Sequence, residues 1–329
     1  MTDAPGGRAQ AGPPDDAQAP VPGGRPRFED YAAAHAARSA ARPAPSAGAW
    51  PPAVEAWLAR LPWRPTPRVL GAALGVVALA VLASSLGGGL SYDRYGARPG
   101  PGRKAVVFLH GHGGSKGRSA WVGEDLAQRL PQAATLVPSA PFGGRLGGHR
   151  WLDGPSSAPS AAVVIAALEA SRDRSCAAIH ALVRRLHEAG VRPADVTLAG
   201  FSEGAVIALE AALRAPPAEQ PGALVLIGGG FMHIRGSGGR QDLPPAPAAG
   251  RPPLRALVAH GARDRVMSPS GGRATAEHLA AGGHPTWWLA YDGDHELTDA
   301  VRAALAGFSQ GEPAGERLPG PDGEVDDAR

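Results

Sequence analysis

Three side chains in this sequence have the types and the order to do covalent chemistry together. Gly200-Phe201-Ser202-Glu203-Gly204 fits the pattern Gly-x-Ser-x-Gly. A serine hydroxyl is a poor nucleophile until a base removes its proton. His295, in Asp292-Gly293-Asp294-His295-Glu296-Leu297, is the candidate base. An imidazole in that role needs a carboxylate on its far nitrogen, to fix the tautomer and to stabilise the imidazolium that forms. Asp264, in His260-Gly261-Ala262-Arg263-Asp264-Arg265-Val266, is the candidate carboxylate. Asp292 and Asp294 are rivals by adjacency, but a sequence neighbour is poorly placed to reach the far nitrogen of the ring. The chemistry implied is acyl transfer through an acyl-serine.

The serine pattern is short and the chain holds 46 glycines, so chance matches occur. Gly113-Gly114-Ser115-Lys116-Gly117 is a second match. The surrounding elements decide between them. An activated serine of this kind sits on a sharp turn with a strand just before it and a helix just after. Val196–Ala199 reads as the strand, and Ala205–Glu210 as the helix. Ser115 lies beyond its strand in a glycine-rich loop, so Ser202 is the expected nucleophile. The plainer role for Ser202 is a helix N-cap. Acyl transfer also needs donors for the developing oxyanion. The backbone N–H groups of Glu203 and His112 are expected to supply them. Gly111 and Gly113 let the early loop approach the reacting carbonyl.

These residues need a frame. Short aliphatic runs at Ala105–Leu109, Ala134–Val137, Val196–Ala199, Leu224–Ile227, Ala256–Ala259 and Trp287–Tyr291 alternate with helical patterns near 118–130, 160–189, 204–214, 270–281 and 298–307. Nearly all-apolar strands alternating with helices predict an α/β fold: a mostly parallel sheet with helices on both faces. The active site of such a sheet lies at the carboxyl ends of its strands.

Leu109–Gly114, Gly200–Gly204, His260–Val266 and Gly293–Leu297 together resemble the carboxylesterase/phospholipase branch of the α/β-hydrolases, which includes acyl-protein thioesterases. Arg150-Trp151-Leu152-Asp153 is similar to a Trp-Phe-Asp element of that branch. The resemblance covers roughly 103–309. It implies an α/β-hydrolase fold without a large lid, and cleavage of esters or thioesters on small-molecule or lipid acyl substrates. It implies no cofactor, and substrate contacts from Gly111, Gly113 and Trp151. Three features depart from the branch. Glu203 stands where Gln is common, residues 228–253 form a Gly/Pro-rich insertion, and a long segment precedes the domain.

That preceding segment divides in two. Residues 1–68 are rich in Ala, Pro and Gly, a composition that buries too little surface to fold, and read as a disordered tail. Residues 69–90 carry no charge and are long enough for a single transmembrane helix. With 68 residues ahead of it, the run reads as an uncleaved anchor rather than a signal peptide. The expected arrangement is a single-pass membrane protein with the 103–309 domain outside the cytoplasm and 310–329 as a loose acidic tail. The net charge is +3, and no Lys/Arg block interleaves with aromatics, which argues against nucleic acid. The one cysteine, Cys176, shares a helical face with Ile179, Val183 and Leu186 and reads as a core thiol. No metal site is expected, since His110 and His112 point to opposite faces if extended. The competing functions are a tethered interaction protein with an inactive hydrolase domain, and a peptidase on the same fold.

Overall fold

The computed structural model describes residues 89–144, 148–155, 160–231 and 252–321. The apolar runs become the centre of one eight-stranded sheet. Its strands are β1 (Tyr92–Gly96), β2 (Ala105–Leu109), β3 (Ala134–Pro138), β6 (Val196–Phe201), β7 (Ala223–Ile227), β8 (Arg255–Gly261), β9 (Thr286–Tyr291) and β10 (Glu316–Arg317). The order across the sheet is β1-β3-β2-β6-β7-β8-β9-β10. The neighbours from β3 to β9 are parallel, with Val107 opposite Leu198 and Val258 opposite Trp288 as examples of register. Two short strands, β4 (Phe142–Gly143) and β5 (His149–Arg150), form a separate antiparallel ribbon.

Side chains along a strand alternate between faces, and each face has its own core. Val107, Leu109, Leu198, Leu226 and Val258 pack with Ile179, Leu182 and Leu186 of α2 (Ala161–Glu188), Ile207 of α3 (Glu203–Arg214) and Leu279 of α4 (Pro269–Ala281). Val106, Phe108, Val137, Val225 and Leu257 pack with Leu126 of α1 (Ala120–Arg129) and with Leu305 and Phe308 of α5 (Asp299–Gln310). Both faces are therefore covered, which is what strands without polar alternation require. Local signals mark the helix ends. Thr298 accepts from the Val301 N–H at the start of α5, and Gly311 closes the helix in the left-handed region at φ 112°. Cys176 is buried in the α2 face, and burial pushes its thiol up to about 12.

The domain is larger than the sequence suggests at both ends. β1, not expected from the sequence, pairs antiparallel with β3, and Leu90 is already buried in the core. The fold thus begins near 90 rather than 103. A membrane span running to Leu90 would put one side chain in two places, so any span must end before it. Residues 69–88 of the expected span lie outside the described residues, as does the expected tail at 1–68. Among the described residues no helix is long and apolar enough to cross a membrane. At the other end, β10 pairs antiparallel with β9 and Leu318 is buried, although a loose tail was expected from 310. Residues 228–231, expected to open an insertion, instead pack into the fold: Phe231 is buried and its N–H donates to Thr275 Oγ1. Residues 232–251 lie outside the described residues.

Candidate active site

The candidate residues lie at the carboxyl ends of β2, β6, β8 and β9; Asp264 and His295 are hydrogen-bonded to each other, and among the described residues no hydrogen bond joins Ser202 to His295. Ser202 follows β6 and precedes α3, and its backbone sits at φ 56° and ψ −123°. Among the described residues it is the one non-glycine with positive φ. Such a conformation costs on the order of 1–3 kcal/mol and persists only where the surroundings impose it. Here the Ser202 N–H donates to Ile227 O at 2.9 Å, while its carbonyl accepts from Ala205 and Val206. The flanking glycines are required by close approach. A Cβ on Gly200 would collide with the Gly204 carbonyl, and one on Gly204 with the Leu109 carbonyl. Ser115, the rival match, caps a turn: its Oγ accepts from the Arg118 N–H at 3.2 Å.

His295 follows β9 and Asp264 follows β8. Their loops are stitched by Ala262 N–H to Tyr291 O and Arg263 N–H to Gly293 O, both 2.9 Å. His295 Nδ1 donates to Asp264 Oδ2 at 2.8 Å. The Asp264 carboxylate has no exposed surface. Its other oxygen accepts from the Val266 N–H at 2.9 Å and the Met267 N–H at 2.8 Å. Burial alone would raise its pKa, but the hydrogen bonds from His295 and Met267, with the His260 ring 3.2 Å away, outweigh that effect and hold the carboxyl well below the usual range. The rivals are engaged elsewhere. Asp292 pairs with Arg263, and Asp294 pairs with Arg265 and accepts from the His295 backbone N–H rather than from its ring. The His295 ring lies against Phe201, with centroids 4.8 Å apart.

The loop after β2 closes the other side. A Cβ on Gly111 would stand 3.2 Å from the Ser202 Cβ, so this loop lies directly against the elbow. Gly113 takes φ 72°, a conformation suited to glycine. The Gly113 and Gly114 N–H groups donate to His149 O and Gly111 O. His110 is buried and fixes the loop: its Nδ1–H donates to Gly111 O at 2.8 Å and its Nε2 accepts from the Ala140 N–H at 3.1 Å. Glu203, the first residue of α3, reaches across, with Oε1 3.3 Å from His112 Nδ1 and Oε2 accepting from the Trp151 N–H at 3.1 Å. The hydrogen bond to Glu203 raises the pKa of His112.

Trp151 corrects an expectation. It was expected to touch substrate, but it is 0% exposed and its Nε1–H donates to His110 O at 2.8 Å. It braces the loop after β2 from behind. Two other residues at the site carried no recognised sequence signal. Gly228, at φ 56°, leaves room for the His295 ring, whose Nδ1 would be 3.3 Å from a Cβ there. His260 lies against Asp264. A histidine four residues before the aspartate was the available hint. Among the described residues no group of three His, Cys, Asp or Glu side chains could hold a metal ion.

The sequence model of the phospholipase/carboxylesterase family matches residues 97–284, more than half of the chain. The match contains Ser202 and Asp264 and stops before His295. Among solved structures, the chain is similar to the esterase PE8 with a TM-score of 0.54 and 22% identity, over 68% of this chain and 99% of that one. A carboxylesterase from Mesorhizobium loti gives a TM-score of 0.52 and 20% identity, over 68% and 95% of the two chains. The Bacillus cereus carboxylesterase gives 0.52 and 15%, over 70% and 98%. At these identities the structural likeness establishes the α/β-hydrolase fold. No curated protein matches the chain.

Proposed function

Because the chain belongs to the phospholipase/carboxylesterase family, we propose that it is a serine hydrolase that cleaves carboxylic esters or thioesters through an acyl-serine intermediate. The observation that carries this reading is the hydrogen-bonded His295–Asp264 pair at the strand ends, with the His295 ring against Phe201, the residue before a serine held at positive φ. With its Nδ1–H given to Asp264, His295 keeps the Nε2 lone pair free for the Ser202 proton. The Ser202 oxygen then bonds to the substrate carbonyl carbon, and the carbonyl oxygen becomes an anion. The N–H groups of Glu203 and His112 receive it. Neither has a backbone acceptor among the described residues, and the first N–H groups of a helix lack partners within it. Collapse of the intermediate breaks the carbon–oxygen or carbon–sulfur bond, and the leaving group takes the proton from His295. Water, deprotonated by the same nitrogen, releases the acid. The substrate is a small-molecule or lipid acyl ester. Residues 69–88 tether the enzyme to a membrane, with the catalytic domain on the outer side.

The test is labelling with a fluorophosphonate probe followed by peptide mass spectrometry. Adduct on the peptide bearing Ser202, lost in Ser202→Ala, is the expected result. Ser202→Ala lowers ester hydrolysis by about 10³-fold or more, while Ser115→Ala keeps most of it. Equal losses in both variants would overturn the choice of nucleophile.

A further inference from the structure

Two histidines converge on Asp264. His295 Nδ1 lies 2.8 Å from Oδ2, and His260 Nε2 lies 3.2 Å from the same oxygen. His260 is the penultimate residue of β8, and its side chain is 1% exposed. Its tautomer follows from its surroundings. Nε2 faces two acceptors, Met267 O at 3.0 Å and Asp264 Oδ2. A bare nitrogen there would set its lone pair against both. Nδ1 has no partner, and a Cβ on Gly272 of α4 would collide with it. The hydrogen therefore belongs on Nε2. An apolar side chain would fill this space without burying an unpaired nitrogen, which costs free energy. The polar ring is used only at Nε2, where Met267 O at 3.0 Å is the nearer acceptor and Asp264 Oδ2 at 3.2 Å the second.

We propose that His260 is a positioning residue for Asp264: its Nε2–H, shared between Met267 O and Asp264 Oδ2, holds the carboxylate towards His295 and tempers the basicity of that base. This rests on the serine-hydrolase reading above. With Val266 N–H and Met267 N–H on Oδ1, the carboxylate has donors at both oxygens. Each donor disperses charge that would otherwise favour the imidazolium form of His295. The other charged or titratable groups around the cluster are Tyr291, whose hydroxyl donates to Glu296 O, the ion pairs Asp294–Arg265 and Asp292–Arg263, and Glu296 itself. Burial pushes Tyr291 up to about 12, and the Arg265 hydrogen bond holds Asp294 low, so neither changes state around neutral pH.

The test uses the full chain, with p-nitrophenyl butyrate as substrate. In His260→Met the acid limb of the kcat/KM profile moves about one unit to higher pH, an energetic change typical of one charge-assisted hydrogen bond. At pH 6 kcat/KM falls about tenfold beyond any change at pH 8. His260→Gln, which keeps an N–H near the Nε2 position, restores the limb. Coincident acid limbs in all three proteins would reduce His260 to core packing. Nitrogen-15 NMR of histidine-labelled wild type gives a second decision that needs no variant. The expected His260 signal is a neutral ring protonated at Nε2; protonation at Nδ1 would overturn the proposal. Probe labelling of Ser202 separates the two levels. No adduct on folded wild type removes the hydrolase premise, whereas adduct with unmoved acid limbs removes only the role of His260.

Discussion

Asp264 is ionised where burial alone would favour the neutral acid, and its donors determine the outcome. The consequence for stability has a definite sign. The folded pKa lies below the unfolded value of about 3.9, so the stabilisation is present above that value and is lost as pH falls through it towards the folded pKa. Asp264→Asn lacks this proton site and also turns a donor towards His295 Nδ1. At neutral pH the variant should melt below wild type and lose about 10⁴-fold in kcat through the wrong His295 tautomer. Its melting temperature should converge on that of wild type as pH drops from about 5 to 2. Melting curves that stay a constant distance apart would mean that the ionised carboxylate is not what stabilises this site.

Helix α4 shows how an element, rather than a residue type, sets the meaning of glycine. Gly271 and Gly272 are neighbours in it. A Cβ on Gly271 meets nothing within 4 Å, while one on Gly272 strikes the His260 ring. Alanine is favoured over glycine in a helix by up to about 1 kcal/mol. Gly271→Ala should therefore stabilise the protein by up to about that amount, less for its place in the first turn. Gly272→Ala should destabilise it by about 1–3 kcal/mol, the usual range for overpacking a core, and should lower activity by displacing His260. Urea unfolding of both variants checks this. The same sign for the two would show that helix propensity outweighs the contact.

At the scale of the whole molecule, a six-stranded parallel centre is bordered by antiparallel strands, β1 at one edge and β10 at the other. β1 begins within a few residues of the proposed tether, and Leu90 is anchored in the core. A span ending before 89 would hold the domain close to the membrane surface, since each residue extends the chain by at most about 3.6 Å. The expected outcome is that the full chain stays with membranes through alkaline carbonate extraction, while a chain lacking 69–88 becomes extractable and labels equally with the probe. Full extraction of the intact chain would remove the tether from the reading.

The sequence by itself determined the parallel α/β sheet, because strands buried on both faces leave unbroken apolar runs such as Ala105–Leu109 and Leu224–Ile227. It also singled out Ser202, Asp264 and His295 as candidates, since strand–serine–helix is a local pattern and their order is a property of the chain. Only the tertiary structure decided what depends on partners far away in sequence. β1 is half polar at an edge, and β10 is two residues long, so each is a strand only because β3 or β9 lies beside it. Trp151 became a brace rather than a substrate contact because the His110 carbonyl waits inside the fold. The hydrogen bond between Asp264 and His295 came from the pairing of β8 with β9, which sets two loops side by side and joins residues 31 apart in the chain. A hydrogen bond is a matter of a few ångströms in space, and sequence distance carries no information at that range until the sheet has formed.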